Sequence, residues 1–325
     1  MRSEIKQLAF DLASGHMAEG FTKESGENAI REKIKEACGG EFNFYSFKEH
    51  QWACFAILAE VLTVATNYLQ MDAYSDLVEF KDVELGDKIV FEVENTELYK
   101  VSQIALGVND LQRQRIVNKK IPTVEFNLGV RIYEELALFM AGRVDFAKMI
   151  VKVSKSFDTH VAGLIANAIY SSYDALKAPF VTSGQFKSEV LLDLVSEVET
   201  ATGENAVIMG TKKALSHLIK DLTDAPESVK EAVYNSGMIG KYMGVPVYVL
   251  PQAKNAKGEN VAQDDVIIVV PNGERIVKFA WIGSAFMTET NDGTANTLQQ
   301  IEFMFQRGAA IAVIVAAQYG MYRVS

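Results

Sequence analysis

Residues 129–176 read GVRIYEELALFMAGRVDFAKMIVKVSKSFDTHVAGLIANAIYSSYDAL, from Gly129 to Leu176. The stretch has no proline; the nearest are Pro122 and Pro179. Ile132, Leu136, Phe139, Phe146, Ile150, Val153, Phe157, Val161, Leu164 and Ala168 step by three or four along one stripe, interrupted by Arg143. That spacing predicts an amphipathic α-helix. Glu134, Glu135, Lys148, Lys152, Lys155, Asp158 and Asn167 fall on the opposite face. A continuous helix would run roughly 70 Å at ~1.5 Å per residue. Gly142 offers a break, which leaves a main helix from Asp145 to Leu176. Either length exceeds the usual helix of about 11–12 residues, so the helix must lie across something extended. A coiled-coil arm is the plain alternative. The steps fit a heptad only as far as Phe157 and then stutter, and the flanking chain is β-rich.

Moving outward, the chain from Tyr74 to Leu128 switches to period two. Val78 and Phe80 alternate with charges, Leu85-Gly86-Asp87 makes a turn, and Ile89, Phe91 and Val93 alternate again. Tyr99–Ala105 and Val124–Leu128 are further strand-like pieces, which together predict a long hairpin or small meander. Its first half carries Asp76, Glu79, Asp82, Glu84, Asp87, Glu92, Glu94 and Glu97; its later half carries Lys100, Arg113, Arg115, Lys119, Lys120 and Arg131. A lone hairpin is marginal in water. It either folds back on the long helix or projects onto a neighbouring copy, with the opposite charge blocks setting register. The second arrangement is the one expected.

Residues 1–72 read as helices: Ser3–Ala13, Ser25–Cys38 ending at Gly39-Gly40, and Phe47–Leu69, apolar on most sides. A helix that apolar needs cover from the main body or another subunit. Beyond the long helix, Ala178-Pro179 and Ser183-Gly184 mark a boundary. Phe186–Thr200 predicts a helix, Ala206–Met209 a buried strand, and Gly210-Thr211 the cap of a helix through Leu222. Val245–Leu250 and Val266–Val270 are strands on either side of the polar loop Gln252–Gln263, an α/β alternation. The chain closes with strands at Arg275–Trp281, Ser284–Glu289, Leu298–Phe305, Ala309–Val315 and Tyr319–Val324. Turns at Asn272-Gly273, Asn291-Asp292-Gly293 and Arg307-Gly308 separate them.

Composition narrows the function. The 325 residues are 49% hydrophobic and 23% charged, enough for a sizeable core. A net charge of -10 disfavours tight, phosphate-neutralising nucleic-acid binding. Cys38 and Cys54 match no metal spacing and predict free thiols in a reducing compartment. The start has no apolar signal core, and the most apolar runs, Ala53–Thr66 and Ala309–Ala317, are too short to span a bilayer. A soluble protein made inside the cell is expected.

Signs of chemistry are sparse. His16, His50, His160 and His217 are scattered, and none stands at ligand spacing to another or to a cysteine. Gly210-Thr-Lys-Lys213 lacks the upstream glycine of a phosphate loop, and no Gly-x-Ser-x-Gly elbow occurs. The adjacent acids Glu134-Glu135 and Asp264-Asp265 point in different directions, which suits solvation better than acid–base work. The stretch Gly237-Met-Ile-Gly240-Lys-Tyr-Met-Gly244-Val-Pro246-Val-Tyr-Val-Leu reads as a helix-to-strand corner.

The corner Gly240-Lys-Tyr-Met-Gly244-Val-Pro246-Val247 resembles one common in the axial domain of Hong Kong 97-like major capsid proteins of tailed bacteriophages. Glu302-Phe-Met-Phe-Gln-Arg307-Gly-Ala-Ala-Ile-Ala-Val-Ile is similar to that family's long strand entering its final segment, and the order of elements agrees along nearly the whole chain. The resemblance implies an α+β capsid fold. It has an N-terminal helical arm (1–72), an extended β hairpin or E-loop (73–128), a peripheral domain with a spine helix (129–183), and an α/β axial domain (184–278). Peripheral strands (279–317) and a last axial strand (318–325) complete it. It also implies a structural, non-enzymatic subunit that needs no metal or cofactor. Such a subunit self-assembles into hexamers and pentamers of an icosahedral shell and encloses double-stranded DNA without sequence-specific binding. The expected partners are scaffold, portal and decoration proteins, with no membrane; assembly would occur in the host cytoplasm and the product be a virion. Gly240, Gly244 and Pro246 would form the axial corner. Asp82, Glu84, Asp87, Arg113, Arg115, Lys119 and Lys120 would make E-loop contacts between subunits. An encapsulin-like compartment shell shares the fold and differs in its cargo. A soluble α/β enzyme or binding protein would need a convergent polar pocket, for which the sequence offers no constellation.

Overall fold

A computed structural model describes residues 28–29, 32–33, 35–37, 39–40, 44–73, 77–93, 99–101, 113–135, 146–221, 240–255, 257–289, 300–314 and 319–324. The chain runs α1 (Phe44–Ala73), β1 (Val78–Val83), β2 (Phe91–Val93), β3 (Lys119–Ile121), β4 (Val124–Glu135), α2 (Phe146–Ser171), β5 (Val181–Gly184) and α3 (Ser188–Thr202). It continues through β6 (Ala206–Gly210), α4 (Lys212–Asp221), β7 (Lys241–Tyr242), β8 (Val245–Val249), β9 (Val266–Pro271), β10 (Val277–Glu289), β11 (Gln300–Val313) and β12 (Gly320–Val324). The helix expected at Ser3–Ala13, His16, Cys38, the Asn291–Gly293 turn and residues 222–239 lie outside the described residues.

Two sheets organise the chain. The first has the order β1-β10-β11-β4, with β1 parallel to β10 and the other pairs antiparallel. Register sets its faces. Phe279 and Trp281 turn toward α1 and α2, while Lys278, Ala280 and Ile282 turn the other way. On the helical face Phe157 of α2 meets Phe305 edge-on at 5.5 Å, and Phe47, Phe55, Leu58, Val61 and Leu62 of α1 are buried in the same cluster. Burying each such side chain contributes about 1.5–3 kcal/mol. For these side chains the cover that the helix needed comes from its own body, while Tyr45 and Trp52 stay exposed. Cys54 is a buried free thiol within it.

The second sheet has the order β5-β12-β9-β6-β8-β7. Val207, Met209, Ile268 and Met321 on one face join the cluster that holds α2; Ile208, Ile267, Val269 and Tyr322 on the other meet α3 and α4. Cover on both faces explains why β9 reads as an unbroken apolar run. Thr211 caps α4 through its hydroxyl, which accepts from the Ala214 N–H at 3.3 Å. Gly203 closes α3 in the left-handed conformation, donating to Glu199 O at 2.8 Å.

Several expectations fail locally. Gly129–Glu135 is strand, in unbroken register with Gln300–Gln306. Phe126, Leu128, Val130 and Ile132 alternate there, and a 14-residue partner strand overrides the helical spacing that begins at Ile132. The helix starts at Phe146, near the break at Gly142. β10 is one strand bent by an irregularity between Ile282 and Phe286, with Gly283 at φ 67°. Its Ala285 N–H reaches Thr63 Oγ1 on α1 at 3.1 Å, so the bend is docked on the helix. Arg307-Gly308 is no turn but the middle of β11. A Cβ on Gly308 would lie 2.9 Å from Ile282 Cβ, so glycine is there for close approach. Ser183-Gly184 belongs to β5 and pairs with β12. Residues 99–101 carry no ladder.

Candidate functional site

The 73–128 segment does not form one meander. Its β1 enters the first sheet beside β10, while β2 and β3 form a separate ribbon with Phe91 opposite Ile121. The root of that ribbon sits on the sheet face away from the helices. Phe91 is 0% exposed there against Ala280 and Ala310, with Val83, Ile121 and Ile282 around it. Lys81 Nζ lies 4.7 Å from the centre of the Phe91 ring and 3.0 Å from Glu79 Oε1. Lys278, buried, donates to Glu79 at 2.7 Å and to Glu274 at 3.3 Å. Burial alone would raise the Glu79 pKa; the hydrogen bonds from Lys278 and Lys81 outweigh it and hold the carboxyl below its ordinary value.

Farther out, the two limbs are clamped by one amide. Gln114 Oε1 accepts from the Lys100 N–H at 2.7 Å, and its Nε2 donates to Lys100 O at 2.8 Å. Around this clamp Tyr99 (60%), Val101 (92%) and Val117 are exposed, together with Arg113 and Arg115. Of the expected contact residues, Lys120 is exposed and faces Glu92 across the ribbon at 3.9 Å. Lys119 stands in β3; its side chain lies outside what is described. Glu84 and Asp87 are exposed on the turn after β1. Asp82 stands apart from this group, because it is engaged by Arg307 of its own chain at 3.1 Å.

Arg307 is the residue that sequence reasoning missed. It is 3% exposed, and its guanidinium lies 4.3 Å from the centre of the Trp281 ring. Burial pulls its pKa down to about 10, with Asp82 opposing, so it stays cationic at neutral pH. The signal was available: an arginine between Phe305 and Ala309 in an apolar alternation is buried unless the strand ends. Beside it runs a trough of about 1160 Å³, walled by Glu84 and Leu85, by Glu125 and Phe126 of β4, and by the β10 bend to Phe286.

The stretch read as a helix-to-strand corner is a two-residue hairpin. Met243 and Gly244, at φ 49° and 90°, join β7 to β8 with Lys241 opposite Pro246. Val247 N–H donates to Gly240 O at 3.0 Å. Pairing of β8 with β6 begins at Val247, so Pro246 costs the sheet no donor there.

The three described histidines lie apart on α1, α2 and α4. Among the described residues no group of three His, Cys, Asp or Glu is placed to hold a metal ion, and no helix is long and apolar enough to cross a membrane.

Residues 4–323 match the family described as SPbeta prophage-derived putative capsid protein YonB. The chain belongs to this family. No curated protein matches the sequence. Among solved structures, a satellite phage P4 procapsid chain superposes with a TM-score of 0.51 at 10% identity, over 79% of this chain and 88% of that one. Microbacterium phage Oxtober96 gives 0.51 at 11%, over 78% and 91%. The virus-like particle from Pyrococcus furiosus gives 0.44 at 14%, over 83% and 99%. The fold of this YonB-family chain is the α+β capsid fold of the Hong Kong 97-like type.

Proposed function

We propose that this chain is the major capsid subunit of a tailed phage or prophage, a structural tile that assembles with copies of itself into hexamers and pentamers of an icosahedral shell around double-stranded DNA. It performs no chemical step and needs no cofactor. The first sheet with α1 and α2 is its peripheral domain, α2 the spine, and the second sheet with α3 and α4 its axial domain. The β2–β3 ribbon is the E-loop. Scaffold, portal and decoration proteins are its partners, the host cytoplasm its place of assembly and the virion its destination.

One observation carries the reading. The ribbon is rooted by a fully buried Phe91, yet beyond the root it exposes Tyr99, Val101 and Val117 on limbs held together by Gln114. An apolar, clamped projection normally marks an interaction face. The acidic balance suits a container for a polyanion, since it limits phosphate contacts.

Electron microscopy and light scattering of the purified protein test the reading. Closed shells are expected, with nucleic acid inside particles recovered from the host; protein cargo would instead mark a compartment shell. Replacing residues 94–112 by a short Gly-Ser turn should leave a folded, unassembled subunit. A wild-type chain that stays monomeric under all assembly conditions would overturn the proposal.

A further inference from the structure

We propose that one side of α2, with the hairpin at residues 253–261 seated beside it, is a surface for the phosphate backbone of duplex DNA. This assignment rests on the shell reading and deepens it by naming the part of the subunit that meets the enclosed duplex. Lys152 and Lys155 are exposed on α2, and the single acid of that helix, Asp158, is half-buried. At about 3.6 residues per turn, Lys152, Gly163 and Tyr170 fall within about 20° of one line along the helix, with Lys155 about 60° to the side. The hairpin sits on that line. A Cβ on Gly163 would lie 3.9 Å from Val261 Cγ1, and the Tyr170 hydroxyl accepts from the Gln263 N–H at 2.8 Å. The hairpin therefore carries its exposed Lys254 and Lys257 on the side of the subunit that bears Lys152 and Lys155.

None of these four lysines has an ion pair among the described residues. The acids nearest the hairpin are engaged at its own base. Glu259 accepts from Asn255 Nδ2 at 2.8 Å, Asp264 from Gln252 Nε2 at 3.1 Å and Asn260 Nδ2 at 3.2 Å, and Asp265 faces Arg323 at 3.4 Å. Exposed acids stand elsewhere: Glu84 and Asp87 on the turn after β1, Glu125 on the sheet face turned from the helices, and Glu189 and Asp193 on α3. The hairpin is ordered before any contact. Asn255 Oδ1 accepts from the Lys257 and Glu259 N–H groups at 2.9 Å each, and Gln252 pairs with both backbone groups of Ala262 at 2.9 and 2.8 Å. Its lysines thus lose less freedom on binding. From Lys152 to Gly163 the helix rises about 16 Å, near half the ~34 Å turn of a duplex, so both lysine pairs reach phosphates of one duplex. Four such contacts on a chain of net charge -10 make a weak, salt-sensitive grip that reads no sequence.

Binding of a short mixed-sequence DNA duplex to the unassembled full chain, followed by fluorescence anisotropy, tests this. Affinity should fall on the order of 100-fold between 50 and 200 mM salt, as four contacts at ~0.9 counterions each require. Combining Lys152→Gln, Lys155→Gln, Lys254→Gln and Lys257→Gln should weaken binding at least ~10-fold and flatten the salt dependence. Combining Lys88→Gln, Lys187→Gln, Lys212→Gln and Lys241→Gln removes the same charge from exposed positions elsewhere and should change affinity by no more than ~2-fold. All eight side chains are exposed, so neither variant disturbs the core. In parallel, an amine-reactive label on a carrier too large to cross the wall should leave Lys152, Lys155, Lys254 and Lys257 unmodified in intact DNA-filled shells and modify them once the shells are opened. No binding at low salt, equal loss in the two fourfold variants, or labelling of these lysines from outside would each overturn the surface while leaving the shell reading intact. If the unsubstituted chain makes no shells, the shell reading fails, and the duplex assay on the free subunit still decides the surface.

Discussion

Arg307 donates to Asp82 Oδ1 at 3.1 Å while its guanidinium lies 4.3 Å from the centre of the Trp281 ring. The cation crosses from β11 over β10 to β1 and ties three neighbouring strands at the end of the sheet where the trough opens. Arg307→Ala removes the stack and the ion pair, and should destabilise the subunit by about 2–4 kcal/mol. Arg307→Lys keeps the charge but loses the planar stack, and should cost about 1 kcal/mol. Chemical denaturation of unassembled protein checks both; equal effects would mean that the retained charge contributes nothing, and an unaffected Arg307→Lys variant that charge alone matters.

Gly308 and Gly244 should fail for different reasons. A Cβ at Gly308 collides with Ile282, so Gly308→Ala should cost about 1–3 kcal/mol by overpacking. Gly244 has open space around it but a φ of 90°, so Gly244→Val should cost about 1–2 kcal/mol through backbone strain. Gly244→Asn should recover much of that loss, since asparagine tolerates positive φ. Thermal melts of the three variants separate the two causes.

Asp158 on α2 has its pKa raised to about 6 by burial. An acid whose folded pKa is raised binds its proton more tightly when folded, so stability is higher at low pH and falls as pH rises from 3.8 through about 6. The group is partly exposed, so the effect is screened to about 1 kcal/mol. Asp158→Asn should therefore stabilise the unassembled subunit at pH 7 and have little effect below pH 4. Melting temperature against pH for the two proteins is the measurement.

Glu79 behaves with the opposite sign. Its lowered pKa contributes stability above the ordinary value of 4.5, lost as pH falls through the folded value. Lys278→Met removes the nearest cation and leaves Glu79 beside Glu274. The variant should be less stable at neutral pH, by about 2–4 kcal/mol, and the deficit should shrink on acidification as the carboxyls take up protons. A deficit independent of pH would point to packing alone.

Much of the architecture was legible because long apolar periods survive tertiary context. The long helix, the α/β alternation from Phe186 to Val270 and the final strand all stand near their expected places. Errors fell where two periods overlap or where a residue type has two uses. Ile132 fits both a helical stripe and the alternation of β4, and only a partner strand decides between them. Gly308 looks like a turn residue, but its role is to let Ile282 approach. The trough was invisible because Glu84, Glu125 and Phe286 come from distant segments, joined only by strand order.

Among the described residues β5 is attached to its sheet through β12 alone, and β12 also covers the edge of β9. During synthesis the half of the subunit built on that sheet therefore cannot close until Tyr322 and its neighbours have been made. Pairing so distant in sequence is slow, and an unfilled gap between strands invites the wrong chain. The tile is thus completed late, and chains that stop short of Val324 should be sorted out by their own failure to fold rather than built into a lattice as faulty members.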